Sequence, residues 1–193
     1  MLGLKLPTDP RWANIAESNL EVILSDHAWC EQKAMTNAVK LIIQNPELED
    51  LVSAMMEIAK EELAHFQQVH QLILERGLKL RREEKDDYVN ELYKFMRKGE
   101  SHVMSLIDRL LFAAMIEARS CERFKVLSEN ISDAELAKFY RDLMESEASH
   151  YTTFIKLAKK YAQDIDVDKR WKEWLEYEAS VIAGYGKSER VHG

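Results

Sequence analysis

The segment Glu62-Leu63-Ala64-His65 returns with the same spacing as Glu147-Ala148-Ser149-His150, and no other feature narrows the possible folds as far. On a helix, residues three apart are surface neighbours, so each segment aims a carboxylate and an imidazole at one point. Both are metal-ligand types. Glu31 precedes Glu62 by 31 positions and Glu117 precedes Glu147 by 30, so the two halves nearly superimpose at an offset of 85 or 86 residues.

The chain around these residues reads as helices. Apolar residues make up 46% and charged residues 32%, while Gly (6) and Pro (3) are scarce, which favours long uninterrupted helices and leaves almost no strand. Thr8-Asp9-Pro10 predicts a short entry helix containing Trp12 and Ile15. A longer helix is expected from Ser25 or Asp26, carrying Trp29, Ala34, Ala38, Leu41 and Ile42 until Asn45-Pro46 stops it. Pro46 is expected to start the next helix, which ends at Gly77 in a left-handed stop. Residues 78–102 read as a long crossover holding one short helix. A third long helix is predicted from about 103 to 128. Ser132 is the expected cap of a fourth, reaching about Gln163. A final helix carries Trp171, Trp174, Leu175 and Ile182, and residues 184–193 read as a disordered tail.

Glu31 sits 14 residues before Asn45 and Glu62 sits 16 after Pro46, while Glu117 sits 13 before Asn130 and Glu147 sits 15 after Ser132. At ~1.5 Å rise per residue the members of each antiparallel hairpin come level to within about a turn. The expected fold is therefore all-α, a four-helix bundle with one long crossover and additional short helices at the termini. All 193 residues are expected to form a single domain.

A Glu from each of two helices and a Glu-x-x-His from each of the other two is the donor set of di-iron and di-manganese carboxylate bundles. The candidate metal ligands, and with them the catalytic residues, are Glu31, Glu62, His65, Glu117, Glu147 and His150. Buried together, four carboxylates would repel and be costly to desolvate, whereas two divalent ions cancel their charge. Oxygen and imidazole donors without thiolates suit iron or manganese better than a closed structural zinc site. Cys30 and Cys121 are then reduced, buried packing residues. Glu61 either orients His65 or is a solvated neighbour, with Ser146 as its counterpart. His27 either lines the site or is a structural histidine. His70, His102 and His192 have no companion pattern.

The net charge of −7 argues against a protein that coats nucleic acid non-specifically, but two basic islands stand out. Residues 79–98 carry seven basic against five acidic side chains, and residues 156–172 carry six against three. No run of 18 apolar residues appears, so no membrane association is expected. The start, Met1-Leu2-Gly3-Leu4-Lys5-Leu6-Pro7, is too early-broken for a signal peptide, and the expected location is the cytoplasm.

Four stretches resemble a known family, the ferritin-like tRNA hydroxylases that act on 2-methylthio-isopentenyladenosine. They are Asp26-His27-Ala28-Trp29-Cys30-Glu31, Glu61-Glu62-Leu63-Ala64-His65-Phe66, Ser146-Glu147-Ala148-Ser149-His150-Tyr151 and, the most specific, Ile116-Glu117-Ala118-Arg119-Ser120-Cys121-Glu122-Arg123-Phe124. The similarity runs from about residue 12 to 177. It implies a di-iron monooxygenase that uses oxygen to hydroxylate the isopentenyl side chain. Glu62 and Glu147 would bridge two iron ions, with Glu31 and Glu117 as terminal ligands and one histidine completing each iron. Since no flavin, nicotinamide or iron–sulfur motif is present, electrons are expected from a separate reductase. A tRNA substrate also needs phosphate contacts, for which Arg81, Arg82, Arg97 and Lys98 are candidates. The alternative is a rubrerythrin- or ferritin-like peroxidase or iron-handling protein with no nucleic-acid substrate. The sequence leaves the oligomeric state open, and a monomer is compatible with it.

Overall fold

The computed structural model describes residues 2–97 and 101–184. Its elements are α1 (Trp12–Ser18), α2 (Leu20–Gln44), α3 (Glu49–Glu75), α4 (Asp87–Lys94), α5 (His102–Asn130), α6 (Ala134–Tyr161) and α7 (Val167–Gly184), with no strand among the described residues. Contacts divide the described chain into two compact units, one of residues 16–85 and one of residues 2–15, 86–97 and 101–184. No described helix is long and apolar enough to cross a membrane.

In the unit of residues 16–85, α2 packs along α3 as a helical hairpin. Helix α2 begins at Leu20, earlier than the expected Ser25, because the Asn19 carbonyl accepts from Val22 and Ile23 and so carries the apolar stripe back to buried Ile23 and Leu24. Asn45 ends it, with its amide donating to the Leu41 carbonyl at 2.9 Å. Pro46 lies in the connecting turn and not at a helix start; α3 begins at Glu49. At the other end Gly77 has φ +69, and the pair of bonds Gly77 N to Leu74 O and Leu78 N to Ile73 O closes the helix. This is the left-handed stop a glycine provides most cheaply.

The following segment is held flat against α2. Ser25 Oγ accepts from Arg81 N at 3.0 Å and Trp29 Nε1 donates to Arg81 O at 2.9 Å, so two residues one turn apart pin the peptide groups on both sides of Arg81. Lys33 and Glu83 add an ion pair at 3.0 Å.

In the other unit α5 is buried on nearly every side, between α6, α7 and α4. Asp133 rather than Ser132 caps α6, accepting from the backbone of Glu135 and Leu136, which leaves Ser132 one residue too early. Helix α7 reaches Gly184, and the remainder of the expected tail lies outside the described residues.

Two buried ionic clusters tie the shorter elements to α5. Asp108 is 0% exposed. It accepts from Arg97 N at 2.8 Å, from Arg97 Nη2 at 3.1 Å, and from Arg170 Nε and Nη2 at 2.9 and 2.7 Å. Arg119 donates to Glu178 on α7 at 2.9 Å, to Glu122 at 3.0 Å and to the Leu6 carbonyl at 3.1 Å. Glu122 in turn accepts from Thr8 N at 2.8 Å and Thr8 Oγ1 at 2.6 Å, and Arg123 lies over the Trp12 ring at 4.2 Å. Fully ligated, such clusters fix the seating of their segments; broken, they leave an uncompensated buried charge.

Burial pushes the Asp108 carboxyl up, but hydrogen bonds from Arg170 and Arg97 outweigh it and hold it below the usual carboxylate range. A lowered native value gives stability that is present above the unfolded carboxyl value of about 3.9 and is lost as pH falls through the native one. Asp108→Asn is expected to cost about 3 kcal/mol in urea unfolding at pH 7 and to flatten the acid limb of the stability curve. Glu178→Leu alone is expected to cost about 3 kcal/mol by stranding Arg119, whereas Arg119→Met with Glu178→Leu costs less than the two single changes summed. A double-mutant cycle in urea reads this directly.

Candidate metal centre

Helix α3 buries Leu51, Met55, Ile58, Glu62, His65, Val69 and Ile73, a stripe with steps of three and four residues. Helix α6 repeats it with Leu136, Tyr140, Leu143, Glu147, His150, Phe154 and Leu157. The Glu and His of each motif thus occupy positions that helical periodicity assigns to core side chains. Glu62 is 0% exposed and Glu147 and His150 are each 2% exposed, values typical of Leu rather than Glu.

Each unit assembles three donors. In the first, one ligand atom from each of Glu31, Glu62 and His65 lies within 4.8 Å of the others. His65 Nδ1 stands 3.4 Å from Glu62 Oε2 and 3.7 Å from Glu31 Oε2. In the second, Glu117, Glu147 and His150 meet the same 4.8 Å limit, with His150 Nδ1 3.8 Å from Glu147 Oε2. These His–Glu separations exceed normal hydrogen-bond lengths, as befits groups facing a common point rather than one another.

The donor chemistry fits a divalent metal. Each triad holds two buried carboxylates and one imidazole, so one divalent ion per triad cancels its negative charge. Burial raises the Glu31 carboxyl, but hydrogen bonding from His27 and the approach of His65 overcome it and hold the group at about 2. Glu31 is therefore ionised near neutrality, as a ligand must be. Oxygen and imidazole donors suit iron or manganese, and the buried Glu and His side chains are consistent with iron.

Other candidates sort by position. Burial, helped by the charges of Glu147 and Glu122, pushes the Cys121 thiol up to about 12, so it stays protonated and donates to the Met144 carbonyl. Cys30 is half-buried, not fully buried as expected, because it lies towards the edge of the buried face of α2. Glu61 is exposed. The side chain that does reach a ligand is His27, 0% exposed and donating to Glu31 Oε1 at 2.6 Å. Its spacing of four residues from Glu31 was the available signal. His70 stacks on Phe66 at 6.2 Å.

The basic candidates separate likewise. Arg81 and Arg82 are exposed, and they line a cavity of about 90 Å³ together with Trp29 and Asp26. Trp29 stands ~160° around α2 from Glu31, so the cavity opens on the other side of that helix from the first triad. Arg97 is half-buried with its guanidinium bound to Asp108, and Lys98 lies outside the described residues.

Comparison with known proteins agrees with these features. A curated relative from Pseudomonas putida, tRNA 2-(methylsulfanyl)-N(6)-isopentenyladenosine(37) hydroxylase, is 40% identical over 85% of this chain and 78% of its own length. A relative of the same name from Salmonella typhimurium is 29% identical over 98% of this chain and 87% of its own. Among solved structures, protein 43 with aldehyde deformylating oxygenase activity from Synechococcus superposes with a TM-score of 0.89 at 33% identity, covering 98% of this chain and 95% of that one. The fold is all-α and ferritin-like. A family model described as tRNA-(MS[2]IO[6]A)-hydroxylase (MiaE) matches residues 2–193, and the chain belongs to that family.

Proposed function

We propose that the protein is a di-iron monooxygenase that hydroxylates the isopentenyl side chain of 2-methylthio-isopentenyladenosine in tRNA. The observation that carries this reading is the pair of buried Glu–Glu–His triads in a chain of this family. Glu31, Glu62 and His65 would hold one iron ion, and Glu117, Glu147 and His150 the other. Iron held there supplies the oxygen-activating chemistry that no amino-acid side chain can.

The overall reaction inserts one atom of O2 into a C–H bond. The other leaves as water with two protons and two electrons from a separate donor protein. The chain's own part is to place and insulate. The ionised Glu31 keeps its side of the donor set anionic before metal enters. The apolar neighbours in each stripe, Ile58 and Val69 on α3 and Leu143 and Phe154 on α6, limit bulk water around the donors.

The substrate side rests on Arg81 and Arg82. Their backbone is pinned to α2 through Ser25 and Trp29, so the two guanidinium groups are presented from a fixed segment. Phosphates bound there would position an RNA loop without reading its sequence. The work would be done in the cytoplasm, where tRNA is modified. The peroxidase or iron-handling alternative is not favoured, since the family and both curated relatives carry tRNA hydroxylase names.

Iron-loaded protein supplied with reductant, oxygen and undermodified tRNA is expected to yield the hydroxylated nucleoside by mass analysis. Vigorous peroxide turnover with no nucleoside product would replace this reading with the alternative. Glu62→Ala and Glu147→Ala should each lose bound iron and drop activity at least ~100-fold, more than indirect partners of metal ligands cost. Arg81→Glu with Arg82→Glu should weaken tRNA binding and lower its salt slope by about 1 per arginine, leaving iron content unchanged.

A further inference from the structure

A side chain outside the six touches one of the candidate ligands. His27 precedes Glu31 by one helical turn on α2 and donates from Nε2 to Glu31 Oε1 at 2.6 Å, fully buried. Residues four apart share one face of a helix, so α2 builds this contact by itself. The equivalent position in the other half, four before Glu117, is Ala113. A methyl group neither donates nor accepts. The repeat that matches all six donors therefore breaks at this position.

The consequence falls on how Glu31 presents its oxygens. Oε1 is committed to His27, and Oε2 is the oxygen facing His65, at 3.7 Å from Nδ1. A carboxylate held in this way offers Oε2 first to a metal beside His65, since turning Oε1 towards the same metal would strain a buried hydrogen bond.

We propose that His27 is a positioning residue that holds Glu31 to one-oxygen coordination and so makes the iron of the first triad inequivalent to that of the second. The inference rests on the iron reading above. One-oxygen binding keeps a coordination position open on the Glu31 side, which gives an otherwise near-symmetric centre a preferred side for a small molecule. Partners of this kind orient ligands in metal sites and tune metal affinity 10- to 100-fold.

The test uses the full chain loaded anaerobically with ferrous ⁵⁷Fe, read by iron stoichiometry, competitive chelator titration and Mössbauer spectroscopy. The wild-type protein is expected to bind two irons and to show two doublets of equal area with distinct quadrupole splittings. His27→Ala should move one doublet towards the other and weaken iron binding at one of the two sites ~10-fold. His27→Gln, whose amide still donates, should restore both. Should His27→Ala fail to fold, His27→Asn against His27→Gln makes the same comparison, because the shorter amide falls short of Glu31. A variant spectrum and affinity matching wild type would overturn the proposal, as would hyperfine coupling showing the His27 nitrogen bound to iron. Wild-type protein that takes up no iron would overturn the iron reading itself, before any variant is made.

Discussion

Burying glutamate inside a helix stripe that should hold leucine is the constraint on which the rest of this structure depends. Glu31, Glu62, Glu117 and Glu147 are each no more than 4% exposed, and an isolated carboxylate at such depth is strongly disfavoured. A protein can accept this only where cations or convergent hydrogen bonds return the lost hydration. Long helices serve the purpose because their own backbone bonds are satisfied internally, leaving the buried side chains free to meet a partner instead of repairing the main chain. Each hairpin places two carboxylates and one imidazole at one level because its members are antiparallel and joined by a short turn.

The sequence run most specific to the family does more than supply one candidate ligand. Of Glu117 to Phe124, only Glu117 belongs to the donor set. Arg119, Glu122 and Arg123 bind Glu178, Thr8 and Trp12, so they fasten α7 and the N-terminal segment to the helix that carries Glu117. A helix enclosed on nearly every side gains little from solvent-facing charges, and its buried arginines draw partners from other segments of the chain. Asp108 does the same for the end of the crossover and the start of α7. The candidate ligand Glu117 and the braces thus share α5, which couples the precision of the site to the seating of the smaller elements.

The segment after Gly77 shows how a charged stretch acquires a defined surface. Its own composition argues only for solvation, yet Ser25 and Trp29 bind both sides of the Arg81 peptide. Loss of backbone freedom at Arg81 presents the exposed Arg81 and Arg82 side chains from a defined position, which lowers the entropy cost of holding a polyanion. Arg97, from the same basic island, is drawn inward by Asp108. Charge counting along the chain could not separate the two, because the difference lies in which acidic side chain approaches from a distant helix.

Periodicity by itself determined that the chain is helical, that its long helices form two repeated pairs, and that six Glu and His side chains fall on buried faces, because the 3.6-residue period is written locally. Caps were less legible. Asn19, Asp133 and the turn at Pro46 depend on which of several adjacent polar residues finds a backbone partner, a choice of one hydrogen bond that shifts a boundary by a few residues. Only the tertiary structure decided that His27 reaches Glu31, that Arg97 is spent on Asp108, and that Arg119 and Glu122 are braces. The physical reason is the same in each case: a donor's partner is set by three-dimensional proximity and by the cost of leaving a buried group unmet, and neither is encoded in the spacing of its neighbours.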